Sequence, residues 1–354
     1  MQIHSWQMTA PNQPLVRADR AAPELVGDQA LVEIAGCGVC HTDLGFVYDG
    51  VRTRHALPLT LGHEIAGRVV AAGPDSAHLI GSAVVVPAVI PCGECPACKA
   101  GRGAICADQF FPGNDDHGGF ASHVVVPGRG LCVVDEAALA DSAVDLASLS
   151  VIADAVTTPY QAILNAGLKS GDVAIFIGVG GVGGFGVQIA SHLGARVVAI
   201  DIDPERLSRY AEQAKLCMES SADLRGMKKR IREWAKESGA PLTGWKIFET
   251  SGHPDGQRLA FSLLGYDAHI GIVGYTREKI EVRLSNLMAF DATLRGTWGC
   301  LPEHYPAVVE MVLSGAVRLE GFVEEWPMSG INGVFEALHG HEMSRRPVLI
   351  PDFD

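Results

Sequence analysis

Short apolar runs separated by Gly, Pro and polar residues fill roughly the first 150 residues, a pattern of brief strands joined by loops. Ala30–Ala35, Gly67–Ala72, Ala83–Val89 and Ser122–Val126 are the predicted strands of this mainly β region. From Lys169 onward the pattern changes to strand–helix alternation, which builds a parallel sheet. Asp172–Ile177 and Arg196–Ile200 read as strands. Gly184–Leu193 reads as a helix, and Pro204–Gln213 as another, opened by Pro at its first turn. Trp245–Glu249, Ala268–Val273 and Thr293–Thr297 are further strands, and Pro306–Leu313 and Ile331–Leu338 are helices of the tail. The expectation is an α/β chain: a mainly β domain followed by a doubly wound parallel sheet.

Length and charge narrow the function. A chain of 354 residues holds two domains with separate cores. The formal net charge of −13 excludes nucleic acid as the main partner, because phosphate binding needs a surplus of Lys and Arg. A local basic pocket for one anion remains compatible with it. The start, MQIHSWQMTAPNQP, has no basic stretch leading into an apolar core, so no signal peptide is expected and the cytoplasm is the expected compartment. The uncharged run Val173–Ala190 contains six Gly and reads as strand, turn and helix rather than a membrane span.

Nine cysteines are present, an odd number, and four of them crowd together. Cys92, Cys95, Cys98 and Cys106 follow the spacing C-x2-C-x2-C-x7-C. Four thiolates in so short a stretch can close a tetrahedral shell around Zn²⁺, leaving no position for water, which makes the metal structural. It would pin a Gly/Pro-rich lobe, about 91–107, that has little core of its own. Two disulfides or an iron–sulfur cluster are the rival readings.

Gly178-Val179-Gly180-Gly181-Val182-Gly183 lies between a predicted strand and a predicted helix. Glycines there allow a tight turn and close approach of the backbone to a pyrophosphate on the helix N-terminus. Asp201 ends the next strand, near the offset at which a carboxylate takes the ribose hydroxyls. Such a carboxylate repels a 2′-phosphate and favours NAD over NADP; Arg206 nearby softens that preference. The bland alternative is a Gly-rich turn with a solvated Asp.

GVCHTD, TLGHEIAG, the four-Cys lobe and GVGGVG occur in the order seen in zinc-containing medium-chain alcohol dehydrogenases, and the chain resembles that family over nearly its whole length. The resemblance implies a GroES-like catalytic domain over 1–154 and 299–354, a Rossmann NAD-binding domain over 155–298, and two zinc ions per subunit, one catalytic and one structural. Cys40, His63 and Asp154 are too far apart in sequence for spacing to join them. Singly, each is more readily a buried thiol, a structural imidazole or a helix cap than a ligand. The resemblance makes them a three-ligand zinc site with a fourth position open to substrate. It also implies that Thr42 is the proton-relay hydroxyl, that Asp43 orients His63, and that Glu64 is the acidic residue beside the metal. His41 and Thr158 become cofactor contacts beside Gly178, Gly180, Gly181, Val182, Gly183, Asp201 and Arg206. One position departs from the pattern: Gly45 stands where several members carry the outer proton-accepting His, so the proton must leave by the cofactor ribose and water or by another residue, His41, His55 and Tyr48 being the candidates.

The blocks RTRHALPLTLGHEI, PGNDDHGGFASHVVVP, ADAVTTPYQA and EVRLSNLMAF further resemble the 6-hydroxycyclohex-1-ene-1-carbonyl-CoA dehydrogenases of anaerobic benzoyl-CoA degradation. That resemblance implies NAD⁺-linked oxidation of the ring hydroxyl of a cyclic acyl-CoA. Arg52 and Arg54 are then candidates for the CoA phosphates, and Lys228, Lys229, Arg230 and Arg232 form a second basic group; solvated surface is the plain alternative for both. Simple secondary, allylic or polyol alcohols are the competing substrates, and a zinc- and nucleotide-binding protein without turnover is the competing class. A homodimer or homotetramer is expected, with Val282–Gly299 as its seam.

Overall fold

The computed structural model describes residues 1–353. The chain forms two compact units: Met1–Thr157 together with the chain from Gly299 onward, and Thr158–Trp298.

The first unit opens with the antiparallel ribbon β1 (Gln2–Gln7) and β2 (Val16–Ala21). There follow β3 (Gln29–Gly38), α1 (His41–Val47), β4 (Glu64–Ala72), β5 (Ala83–Val86), α2 (Pro96–Lys99), β6 (His123–Pro127), β7 (Cys132–Val133) and α3 (Glu136–Asp141). A helix, α4 (Thr157–Asn165), starts at the boundary. The second unit contains β8 (Val173–Ile177), α5 (Gly183–His192), β9 (Arg196–Asp201), α6 (Pro204–Ser208), β10 (Ala214–Glu219), α7 (Leu224–Ser238), β11 (Lys246–Glu249), α8 (Pro254–Ser262), β12 (His269–Ile272), α9 (Ser285–Phe290) and β13 (Thr293–Gly296). The chain then returns to the first unit with α10 (Tyr305–Leu313), β14 (Val323–Pro327), α11 (Ile331–His339) and β15 (Arg346–Ile350).

In the second unit all six strands are parallel, in the order β10-β9-β8-β11-β12-β13. This is the doubly wound arrangement, and its direction reverses between β8 and β11. Strand β8, VAIFI, is buried at every position, as a strand covered on both faces must be. The edge strand β13 is exposed along its whole length. In the first unit β3 is the hub: it pairs with β4, β6 and β15, and the sheet runs β14-β15-β3-β4-β5-β7. Its core gathers Val32, Ile65, Phe120, Phe335 and Leu349, so the C-terminal return completes a core begun near residue 30.

Three sequence expectations change. The strand expected over Ala83–Val89 ends at Val86, because Pro87 has no N–H to continue the ladder. The helix expected over Pro204–Gln213 stops at Ser208; beyond it Tyr210 packs inward against α5, where a Cβ on Gly184 would lie 1.7 Å from its hydroxyl. The tail contains two strands, β14 and β15, where only helices were expected. Among the described residues no helix is long and apolar enough to cross a membrane.

Candidate active site

Residues from three separate stretches of the first unit meet at one point. Cys40 is the N-cap of α1, just past the end of β3, and its backbone N–H donates to Asp43 Oδ2 at 3.0 Å. Gly62 adopts φ +95°, turning the chain so that His63 faces inward before β4 starts. Asp154 follows the 3₁₀ turn Ser148–Ala153. Cys40 Sγ lies 3.4 Å from Asp154 Oδ2, and His63 Nε2 lies 3.6 Å from the same oxygen. Potential ligand atoms of Cys40, His63, Glu64 and Asp154 all fall within 4.8 Å of one another.

The environment favours a cation there. His63 is buried, with Asp43 Oδ1 3.4 Å from its Nδ1 and the Phe111 ring edge-on at 5.1 Å. Burial alone opposes protonation of this imidazole, yet Asp43, Asp154 and Cys40 outweigh it and hold its pKa well above the ordinary histidine value. Carboxylates crowded around one imidazole call for a positive charge, which a proton on His63 or a bound metal ion supplies. A thiolate, an imidazole and a carboxylate are a donor set suited to zinc. His63 Nδ1 faces the Asp43 carboxylate at 3.4 Å, the arrangement that orients an imidazole binding metal through Nε2.

Glu64 is held from outside this cluster. Arg346 Nε donates to its Oε2 at 2.7 Å, and Arg346 Nη2 donates to Oε1. Ala155 N–H donates to the same Oε1 at 3.1 Å. Both side chains are almost wholly buried. Burial raises the Glu64 carboxyl, and Arg346 pulls against that rise. Gly38 makes the room, since a Cβ there would lie 2.1 Å from Glu64 Oε2. Arg346 was not singled out in the sequence; it sits in β15, and no motif marks it.

Thr42 and His41 are exposed at the start of α1, with Thr42 Oγ1 3.8 Å from Cys40 Sγ. Tyr48 stacks on His339 at 4.2 Å. The segment with Arg52 and Arg54 is tied to the segment that carries Phe111. Arg54 N–H and His55 N–H donate to Asn114, and Arg54 Nη1 lies 3.5 Å from Asp115 Oδ1. Arg52 is exposed. Lys228 is drawn away from solvent by the Ser262 and Leu264 carbonyls, and Lys229 pairs with Glu233 at 3.7 Å.

In the cysteine lobe the sulfur atoms of Cys92 and Cys106 are 3.4 Å apart, those of Cys95 and Cys98 3.5 Å, Cys95 and Cys106 3.7 Å, and Cys92 and Cys98 3.9 Å. A tetrahedron with Zn–S bonds of about 2.3 Å has edges of about 3.8 Å, so the spacing fits zinc and is far longer than a disulfide. N–H groups of Glu94 and Cys95 point at Cys92 Sγ and lower its thiol to about 7.

In the second unit the glycine loop lies at the C-terminal end of β8, on the side of the sheet reversal. Gly178 has φ +84°, and Thr250 Oγ1 donates to its carbonyl at 2.6 Å. A Cβ on Gly183 would lie 1.9 Å from the Gly178 oxygen, whereas one on Gly180 would meet nothing within 4 Å. One glycine closes the turn, and the other borders open space in which a phosphate can approach the backbone. Val182 is the N-cap of α5 and Gly181 precedes it in the loop. Asp201 is buried: its Oδ2 accepts from Val179 N–H at 2.7 Å, and its Oδ1 accepts from Asp203 N–H and Arg206 Nη1, both at 3.0 Å. Thr158, at the start of α4, is buried.

With this geometry established, two family descriptions match the chain: the alcohol dehydrogenase GroES-like domain over residues 27–136, and the zinc-binding dehydrogenase domain over 181–314. The chain belongs to the zinc-dependent medium-chain alcohol dehydrogenase family and is an oxidoreductase. It is 26% identical to an alcohol dehydrogenase of Geobacillus stearothermophilus, over 96% of this chain and 97% of that protein. It is 29% identical to the galactitol 1-phosphate 5-dehydrogenase of Escherichia coli K12, over 79% of each. The crystal structure of the alcohol dehydrogenase of Aeropyrum pernix superimposes with a TM-score of 0.85 at 28% identity, covering 98% of this chain and 100% of that one.

Proposed function

We propose that the protein oxidises a secondary alcohol to a ketone with NAD⁺, using one zinc ion held by Cys40, His63 and Asp154 and a second held by Cys92, Cys95, Cys98 and Cys106. The convergence of Cys40, His63 and Asp154 around one point carries this reading. Zinc held at the first site would supply acidification of the substrate hydroxyl, and NAD⁺ would supply the hydride acceptor.

The chain's own residues do the rest. Thr42 accepts the hydrogen bond of the substrate hydroxyl and passes its proton outward. With Gly45 in place of an outer histidine, and with Thr42 and His41 both exposed, that proton leaves to water. Asp43 fixes the orientation of His63 and compensates its charge. Glu64, clamped by Arg346, holds the Ala155 N–H beside Asp154. The backbone at Gly178–Gly183, with the N-terminus of α5, receives the pyrophosphate, Gly180 and Gly181 bordering the approach. Asp201 and Arg206 sit at the ribose end, and Thr158 and His41 are further cofactor contacts. Because Asp201 already accepts three hydrogen bonds, ribose recognition is shared with the Arg206 guanidinium. The exposed edge strand β13 and the exposed Leu284, Met288 and Trp298 are the proposed seam of a homodimer.

The narrower reading takes 6-hydroxycyclohex-1-ene-1-carbonyl-CoA as substrate and the 6-oxo thioester as product. Its support is the sequence blocks given above and the exposure of Arg52, with Arg54 partly engaged by Asp115. A simple secondary alcohol or polyol is the competing substrate, in keeping with the names of the relatives. NADH formation at 340 nm (a property of the cofactor) decides between them when the thioester, its free acid and a panel of secondary alcohols and polyols are compared. Preference for the thioester, with competition by free CoA, supports the narrow reading. Turnover of simple alcohols without such competition removes Arg52 and Arg54 from the site. No hydride transfer from any alcohol to NAD⁺ in the zinc-loaded protein refutes the wider reading too.

A further inference from the structure

The ligand Asp154 lies outside any helix or strand. It follows a single short 3₁₀ turn, and such turns have weak internal hydrogen bonding. Its two peptide neighbours are instead held by distant groups. On one side Ala155 N–H is bonded to Glu64, as described above. On the other, the carbonyl of Ala153 takes three donors: Tyr305 OH at 2.5 Å, Thr157 Oγ1 at 3.3 Å and Ala88 N–H at 3.4 Å. The Tyr305 oxygen also accepts from Ala88 N–H at 3.3 Å, so the phenol ties the turn to the end of the β5 segment.

Tyr305 is wholly buried at the start of α10. Burial holds its phenol protonated far above the ordinary tyrosine range, so it acts as a donor at any working pH. We propose that Tyr305 is a positioning residue for the open metal site: by fixing the Ala153 carbonyl it sets the peptide plane from which the Asp154 carboxylate projects. The C-terminal return of the chain thereby reaches the metal through a hydrogen bond to backbone, in addition to the Arg346–Glu64 pair. The signal in sequence is slight, a lone Tyr in LPEHYPAVVE with nothing to mark its partner.

The inference rests on the proposed reading of Asp154 as a ligand, and the test separates the two. The zinc-loaded enzyme and its Tyr305→Phe and Asp154→Asn variants are titrated with a chromogenic chelator, and zinc affinity at the open site is read against that of the cysteine lobe. Tyr305→Phe keeps the ring and removes only the hydroxyl. Loss of an outer partner of this kind weakens metal affinity about tenfold or more. The expected result is such a loss at the open site, unchanged affinity at the lobe, and a folded protein by circular dichroism. Affinity within about twofold of the parent in a folded Tyr305→Phe variant, with Asp154→Asn impaired, overturns the role of Tyr305 alone. Unchanged affinity in both variants overturns the assignment of Asp154 as well. If Tyr305→Phe does not fold, Thr157→Val removes another donor from the same carbonyl and carries the same test.

Discussion

Arg346→Met isolates the cost of leaving the Glu64 carboxylate buried without its partner. In the native protein the guanidinium makes two hydrogen bonds to it, and the two side chains are 6% and 0% exposed. Removing one member of such a pair costs about 3–5 kcal/mol, because the remaining charge is stranded away from water. At about 2–4 °C per kcal/mol for a unit of this size, the thermal midpoint of the zinc-loaded protein falls by about 6–20 °C. The double variant Glu64→Gln/Arg346→Met removes both charges but leaves an amide oxygen to accept from Ala155 N–H. It should recover at least half of the loss, giving a coupling of at least about 2 kcal/mol in a double-mutant cycle, larger by whatever Glu64→Gln alone costs. Circular dichroism melts of the four proteins at one pH and one zinc concentration supply the numbers. A single-variant loss below about 1 kcal/mol, or single effects that simply add, would refute the argument that the pair is ionised and interdependent.

Two glycines of the nucleotide loop should separate fold from binding. Gly183→Ala forces a Cβ against the Gly178 carbonyl and lowers the melting midpoint and NADH affinity together. Gly180→Ala meets no protein atom, so it leaves the midpoint unmoved while weakening NADH binding by about 1.4 kcal/mol, tenfold in Kd, measured by cofactor fluorescence. Cys40→Ala should abolish NADH formation with the circular dichroism spectrum intact, whereas Cys95→Ser should release lobe zinc and lower the midpoint first; an active Cys40→Ala protein would sink the zinc assignment. His117 supplies a pH test. Burial, helped by Arg20, lowers its pKa below 6.5 in the fold, where Nδ1 accepts from Thr60 N–H at 3.1 Å. Its contribution to stability is therefore complete above about pH 6.5 and shrinks as pH falls below that, because the unfolded chain takes the proton more readily. His117→Asn, which retains an acceptor, should show a smaller drop in midpoint between pH 7.5 and 5.5 than the parent, and an equal drop would exclude this histidine as a source.

Local chemistry was legible along the chain. The cysteine lobe closes within fifteen residues, and the glycine loop with its flanking strand and helix within about twenty, so spacing and periodicity specify them with little help from the rest. The parallel sheet was legible for the same reason: β8, β9, β11 and β12 are apolar runs whose burial follows from their composition. Strand ends were less so, and Val86 shows why, since one proline outweighs a run of apolar residues. β14 and β15 escaped notice because their pairing is non-local, with each other and with β3 more than 300 residues earlier.

The sequence by itself determined which atoms are on offer: a thiol at 40, an imidazole at 63, a carboxylate at 154, four more thiols, and a glycine turn that no side chain obstructs. It did not join the first three, because contact between residues 114 positions apart depends on how β3, β4 and the 3₁₀ turn pack, and no spacing rule spans such a distance. Tertiary structure alone decided that Arg346 would clamp Glu64, that Tyr305 would grip the carbonyl before Asp154, and that Asp201 would turn inward to Val179 N–H. Those choices follow from burial. Once a polar group is taken from water it must find a partner in whatever element lies nearest, and the fold rather than the order of residues says which element that is.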